Sequence, residues 1–246
     1  IMYTDFASYY DSLTENVDYE SRTDYICSLF DRFDRKPTLL LDLACGTGGF
    51  SNCMAARKIS VIGVDMSYDM LCEAREKTEA LGNDVLYLCQ DAERLDLYGT
   101  VDCAICCLDS INHITNFQKL CNVFARVSLF LEKDRLFIFD VNTPYKHKNI
   151  LGDNTFVLEN DNVYCVWQNE YAGNNTVHIS LDFFENNNGV YHRTSEQFCE
   201  RAYTDEELRT VLINAGLKIE AVYDEMKYTK PDNKAQRIVY VTRKVN

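Results

Sequence analysis

LLLDLACGTGGF, residues Leu39 to Phe50, opens as an apolar run, breaks at Gly46, Gly48 and Gly49, and passes into a segment with helical spacing. That order predicts a buried strand, a tight turn and a helix. Glycines at the turn let the backbone approach a ligand closely, because no side chain stands in the way. A second apolar run, Ser60 to Val64, ends on Asp65. An acid at the tip of the second strand is where a nucleotide-binding sheet grips a ribose diol.

Two ligands suit this plan, a dinucleotide and S-adenosylmethionine (SAM). The dinucleotide fingerprint asks for a third glycine where this chain has Ser51. It also gains nothing from an acid beside its pyrophosphate, whereas Asp42 precedes the turn here. A carboxylate near the turn suits the sulfonium and ammonium of SAM. The run DLACGTG resembles the first motif of class I SAM-dependent methyltransferases. That resemblance implies an α/β, Rossmann-like sheet of seven strands, the last antiparallel, with helices on both faces. It also implies SAM as cofactor, and cofactor contacts at Ala44, Cys45, Gly46 and Gly48 around the turn and at Asp65 beyond it.

Further matches extend the resemblance. Phe6, Tyr9, Tyr10 and Leu13 recur at helical spacing, as do Tyr25, Ile26, Leu29 and Phe30, which predicts two helices joined near Thr14 to Asp18. The pattern F-A-x-x-Y-D, then D-Y, resembles the N-terminal lid of small-molecule methyltransferases, including sugar N,N-dimethyltransferases. By that resemblance Tyr10 and Tyr19 line the site. Ser21-Arg22-Thr23 is similar to an S-R-T of glycine N-methyltransferase whose arginine holds the SAM carboxylate. A guanidinium fits a carboxylate through two parallel bonds, and a surface arginine is the alternative. Met66, in the resembling family, lies flat on adenine, and Met70 follows on the next helix. In that family an acid just past the third strand accepts a hydrogen bond from the adenine amino group and the next amide meets a ring nitrogen, which the resemblance assigns to Asp91 and Ala92; a turn-capping aspartate is the alternative. Cys107 and Leu108 end the fourth strand, VDCAICCL from Val101, at the same edge.

All these motifs fall beyond the carboxyl ends of strands, where open α/β sheets bind ligands. The loop DSINHI, Asp109 to Ile114, lies there too and resembles the S-I-G-H-[LI] of sugar N-methyltransferases. His113 is therefore the candidate base, since imidazole as a side-chain type suits proton transfer near neutrality; an orienting or capping role is the alternative. Tyr10 is the second catalytic candidate. His147, His178 and His192 show no ligand spacing and are expected at the surface or the pocket rim.

The amphipathic run Thr115 to Phe130 and a fifth strand, Arg135 to Val141, follow. From Tyr145 to Arg201, β-rich runs alternate with turn clusters, which predicts three or four antiparallel strands. The chain thus divides into a SAM-binding domain, residues 1–144 and 202–246, and an inserted cap, 145–201, over the acceptor pocket. The cap's aromatics, Tyr164, Trp167, Tyr171, Phe183, Phe184 and Tyr191, are expected either to line that pocket or to form the cap's own core. Thr204 and Glu207 form a capping box, and strands at Leu217 to Tyr223 and Arg237 to Thr242 close the sheet.

The totals narrow the partners. The 246 residues carry a net charge of −13, which argues against a phosphate-binding groove for nucleic acid. Eleven cysteines, mostly within apolar runs, and no leader ahead of the domain point to a reducing cytoplasm. Cys103 and Cys106 fall on opposite faces of one strand and cannot close a metal site, and no metal is expected. No apolar run reaches the roughly 20 residues that span a bilayer. The expectation is a methyltransferase acting on nitrogen or oxygen of a small-molecule acceptor, as monomer or homodimer. An NAD(P)-dependent Rossmann oxidoreductase and a non-catalytic SAM-binding module are the alternatives.

Overall fold

The computed structural model describes residues 17–159 and 162–245. The main sheet contains β1 (Leu39–Leu43), β2 (Ser60–Asp65), β3 (Val85–Cys89), β4 (Val101–Cys106), β5 (Leu131–Asn142), β10 (Leu217–Asp224) and β11 (Arg237–Lys244). Its order is β10-β11-β5-β4-β1-β2-β3. The first five strands pair in parallel, and β11 runs antiparallel to both of its neighbours. The order reverses beside β1, so the carboxyl ends of β1 and β4 flank a crevice.

Both faces of this sheet are covered, which is why β1 and β4 read as apolar runs interrupted by one acid each, Asp42 and Asp102. Leu40, Cys103 and Ile105 pack with α1 (Tyr19–Arg32) and α2 (Gly49–Ala56); Leu41, Ala104 and Cys106 pack with α4 (Phe117–Phe130) and α5 (Asp205–Asn214). Cys103 and Cys106 lie on opposite faces, as their spacing requires. The α4 face is sealed by a stack of Phe137, Phe139 and Tyr240, with neighbouring centroids 5.1 Å apart. The Tyr240 hydroxyl, at the end of that stack, donates to Asp205 at 2.8 Å.

Local chemistry sets the helix boundaries. Ser67 caps α3 (Tyr68–Ala80), accepting from the amide of Met70. Asn116 caps α4 through Gln118 and Lys119, and the Thr204–Glu207 box caps α5. Strand β5 starts earlier than Arg135, directly after α4 at Leu131. Its charged opening, EKD, carries no alternation, and Asp134 takes a positive φ of 64°, so periodicity could not reveal that segment. The first of the two helices expected at the N-terminus, over Phe6, Tyr9, Tyr10 and Leu13, falls outside the described residues.

After β5 a helical turn, Pro144–Lys146, runs into a π-turn, His147–Leu151. A separate antiparallel sheet follows: β6 (Thr155–Glu159), β7 (Val163–Gly173), β8 (Thr176–Asn187) and β9 (Val190–Arg201), paired in sequence order. Its core is Leu151, Val163, Cys165, Val177, Ile179, Leu181 and Phe183, with Trp167 and Tyr171 packed against it. Tyr164, Phe184 and Tyr191 line a shallow groove elsewhere on this sheet. All eleven cysteines are free thiols. No helix among the described residues is long and apolar enough to cross a membrane.

Two buried carboxylates anchor β1 at opposite ends. Asp102 on β4 accepts from the amides of Thr38 at 2.6 Å and Leu39 at 2.9 Å, and from the Thr38 hydroxyl. Burial pushes the Asp102 carboxyl up, but those bonds outweigh it and hold the group below its ordinary 3.8. Asp42 accepts from the Ser51 hydroxyl at 2.6 Å. Burial drives its carboxyl up to about 7 against the pull of that bond. Ser51 thus occupies the third-glycine position with a side chain that ties α2 to β1.

The two groups carry opposite pH signatures. Asp102 adds stability above the ordinary carboxyl value of 3.8 that is lost as pH falls through its depressed folded value. Asp102→Ala should cost about 2–3 kcal/mol in urea unfolding at pH 7, with the difference from wild type shrinking below pH 3.8. Asp42 behaves inversely. Its contribution is complete below 3.8 and lost as pH rises through about 7. Asp42→Asn, which keeps an acceptor for Ser51, should flatten the decline in Tm across that interval and raise Tm above it.

Candidate active site

The turn after β1 begins the site. Ala44 and Gly46 take positive φ values of 56° and 53°. A side chain on Gly46 would meet nothing within 4 Å, so this residue opens onto free space. Gly48 and Gly49 serve packing instead. A Cβ on Gly48 would stand 2.4 Å from the Tyr87 hydroxyl, and one on Gly49 2.4 Å from the Tyr19 ring.

Asp65 closes β2 and holds the turn. Its carboxylate accepts from the amides of Gly46 at 2.9 Å and Ser67 at 2.8 Å. Burial pushes the Asp65 carboxyl up, and the amides of Ser67, Gly46 and Met66, with His113 nearby, draw it back. Between this carboxylate and the loop after β4 lies a cavity of about 460 Å³. Ala44, Gly46, Asp65, Met66, Met70, Asp91, Ala92, Leu108 and His113 line it together. The main additions that the sequence reading missed are Gln90, Glu93, Ser110, Asn116 and Lys119. Helical spacing of polar residues at the start of α4 was the only available signal for the last two.

The remaining expected contacts lie elsewhere. Tyr10 is outside the described residues. Cys45 packs by side chain toward Gly63 and the cluster of Leu71, Ala74 and Tyr87. Tyr19 packs edge-on against Phe50, with ring centroids 5.3 Å apart. Arg22 and Cys107 face a separate narrow cleft with Asp140 and Glu225. There the Arg22 guanidinium donates to Glu225 at 2.6 Å. Asp42 is buried beneath the turn and does not line the cavity, so the charge expected of it near the ligand is spent on Ser51.

The loop after β4 is held by a second strand-end carboxylate. Leu108 and Asp109 both adopt φ of 54°, a costly left-handed pair for residues with side chains. Asp140 on β5 accepts from both of their amides, at 2.9 and 2.7 Å. Burial pushes the Asp140 carboxyl up, and Arg237 opposes that rise. Arg237 stands 3.0 Å from Asp109, 3.5 Å from Asp140 and 3.6 Å from Glu225. Asp140 and Arg237 escaped the sequence reading because an acid inside FIFDVN resembles any polar interruption of a strand.

His113 ends the 3₁₀ turn Ser110–His113. Its ring stacks on Phe198 of β9 with centroids 5.1 Å apart, and its Nε2 lies 3.6 Å from Glu200. Glu200 is buried; burial alone would push its carboxyl up, and His147, His113 and Lys146 together hold it below the usual range. His147, expected at the surface or rim, is fully buried, with Nε2 3.4 Å from Glu200 and Nδ1 2.9 Å from the Asn175 carbonyl. Its place in a π-turn gives no apolar periodicity to betray that burial. Of the cap aromatics named from the sequence, none lines the main cavity. Phe198 reaches His113 instead.

The cavity fits an adenosyl ligand on its own geometry. Its volume lies within the range for small-molecule sites, about 300–1,000 Å³. A half-buried acceptor at Asp65, an open glycine backbone and the thioether of Met66 with its side chain half exposed suit a diol, a close-lying chain and a flat base.

Comparison with known proteins agrees. Residues 40–133 match the family model described as a methyltransferase domain. The Bacillus subtilis protein YqeM is 28% identical over 247 residues, covering 99% of this chain and 98% of that one. The crystal structure of a SAM-dependent methyltransferase from Clostridium acetobutylicum is 32% identical, with a TM-score of 0.90 and 99% of each chain covered. The SAM-bound amino pentose methyltransferase CalS10 of Micromonospora echinaspora shares the fold, at 17% identity, a TM-score of 0.75 and 93% coverage of each chain. With the sheet order, the glycine turn, Asp65 and a full-length relative in agreement, this chain belongs to the class I SAM-dependent methyltransferases.

Proposed function

We propose that this methyltransferase acts on a nitrogen or oxygen of a small-molecule acceptor, with His113 taking the acceptor's proton. The observation that carries the proposal is the position of His113. Its imidazole forms part of the wall of the main cavity and is backed by Phe198 of the four-stranded sheet. SAM supplies the methyl group on a sulfonium, so the protein needs no nucleophilic side chain. What remains for the chain is positioning, exclusion of water and removal of one proton.

The cofactor roles divide along the sheet edge. Asp65 accepts the ribose hydroxyls, Met66 flanks the base, and Asp91 with the Ala92 amide reads its edge. Arg22 reaches a ligand carboxylate only by sharing or leaving Glu225, its partner at 2.6 Å. The four-stranded sheet, within 145–201, acts as the cap of the acceptor side. A small acceptor is supported by the cavity's size and by the net charge of −13, which disfavours a polyanion. The likeness to an enzyme described as an amino pentose methyltransferase makes amino sugars the first acceptors to try.

Calorimetry with S-adenosylhomocysteine tests the cofactor half. Asp65→Ala should weaken binding about 100-fold, the loss of two hydrogen bonds to a charged acceptor. An unchanged affinity would remove Asp65 from the site. A screen over amines, amino sugars and phenols tests the acceptor half. On the compound that is methylated, His113→Gln should lower kcat by about 10²–10⁴. Full turnover by that variant would show that His113 is no base.

A further inference from the structure

The four-stranded sheet returns to the main domain through residues 200–203, and this return docks on the loop that bears His113. The Arg201 carbonyl accepts from Asn112 at 3.0 Å, and the Arg201 guanidinium donates to the Thr115 carbonyl at 3.4 Å. The Tyr203 hydroxyl donates to the Ile114 carbonyl. Glu200 faces His113 in the same register. Four consecutive loop residues, 112 to 115, are thus each met by the end of β9 or the residues just after it.

The Glu200 carboxylate divides its two oxygens between two imidazoles. Oε2 faces Nε2 of His147 at 3.4 Å and the Asn142 amide nitrogen at 3.4 Å. The His147 Nδ1 lies 2.9 Å from the Asn175 carbonyl, which can only accept, so that nitrogen carries a proton. The Oε2 side thus takes its donor from Asn142 of β5, while the His147 Nε2 beside it makes no hydrogen bond among the described residues. Oε1 is left to Nε2 of His113 at 3.6 Å, a separation of the kind that tightens when a site fills. Phe198, two residues earlier on the same face of β9, fixes the plane of the His113 ring from one side.

We propose that Glu200 is the positioning residue of the reaction, delivered by the inserted sheet, and that it sets the tautomer of His113. A carboxylate only accepts, so the ring nitrogen facing it, Nε2, carries the proton, and the lone pair resides on Nδ1. Nδ1 is then the atom that takes the proton leaving the acceptor. The ring becomes an imidazolium, and the Glu200 carboxylate across from Nε2 stabilises that charge. This assignment rests on His113 acting as the base. It adds which nitrogen acts and what keeps it in that state.

The test needs no acceptor. Full-length protein with ¹⁵N-labelled imidazoles is saturated with S-adenosylhomocysteine at pH 8, and long-range ¹H–¹⁵N spectra report which nitrogen of each ring is protonated. Only four histidines contribute signals, and His113→Gln assigns the one that matters. The wild-type protein should show the Nε2–H form of His113 in about tenfold excess or more, as expected of a bond to a charged acceptor. Glu200→Leu should bring the two forms to within about twofold. Glu200→Gln should restore the Nε2–H form, because its amide nitrogen suits the bare Nε2 of a neutral His147 and turns its oxygen to His113. A wild-type spectrum dominated by the Nδ1–H form overturns the assignment whether or not any variant folds. A folded Glu200→Leu protein that binds the probe and keeps the wild-type ratio overturns it equally. Loss of turnover in His113→Gln with an unaltered tautomer ratio in Glu200→Leu would keep the base and discard Glu200.

Discussion

Acceptance of backbone amides by carboxylates at the strand ends is the interaction on which the site depends. Loops that must wrap a ligand expose amides that no strand or helix satisfies, and buried unpaired amides are costly. Asp65 takes those of Gly46 and Ser67; Asp140 takes those of Leu108 and Asp109. Each acid belongs to a strand rather than to the loop it holds. The rigid sheet therefore dictates where the loops go, and the left-handed pair at Leu108 and Asp109 persists because its amides have fixed partners. One consequence is that Asp65 has two duties: it shapes the turn through backbone bonds and faces the cavity.

Burying several carboxylates together is unfavourable unless positive charge and donors offset the loss of solvent. Arg237 provides most of the positive charge. Burial works against its guanidinium, yet Asp109, Asp140, Glu225 and Glu200 raise its hold on the proton. Arg22 and Lys146 extend the group on either side, Arg22 to Glu225 and Lys146 to Asn142 at 2.9 Å. Lys146 is buried enough that its ammonium loses protons more readily than usual. The acids and bases come from α1, the β4 loop, β5, β9 and β11, so the network ties α1, the β4 loop and β9 to the one pair among them that shares a ladder, β5 and β11.

The sheet and the cofactor edge were legible because they are written locally. A glycine turn after an apolar strand, an acid at the next strand tip and capping residues before each helix all act within a few positions. The parity of side chains was less accessible. The positive φ of Ala44 breaks the alternation of β1, so the neighbours Leu43 and Ala44 both line the cavity, and Cys45 turns away from it while Gly46 lines it again. In the same way Leu108 faces the cavity and its neighbour Cys107 the narrow cleft. The inserted sheet was foreseeable from its turns, but which of its residues would reach the site was not. Trp167 and Phe183 gave the strongest sequence signal because they are large, and size sent them into the sheet's own core. Glu200 and Phe198 gave none, since their partner His113 is set by tertiary docking. Asn112 and Arg201, which make the neighbouring contact, are 89 positions apart.

The two halves of the site rest on different physical supports, and this bears on how each can vary. The cofactor half is built on parallel strand tips, where a change in one loop disturbs strands that pair on both sides. The half proposed for the acceptor is held by the end of one strand and a few side-chain bonds to residues 112–115. Residues earlier in β6 to β9 can change with little effect on Asp65 or the glycine turn, because the bonds that the Arg201 carbonyl and guanidinium and the Tyr203 hydroxyl make to the loop after β4 all lie at the sheet's return. The His113 ring is the point where the halves meet: it belongs to the β4 loop by sequence, to the cavity by position and to β9 by its contacts. If the insert caps the acceptor as proposed, a fold arranged in this way can exchange acceptors by altering the insert while keeping one cofactor, provided the residues that grip the loop stay in register.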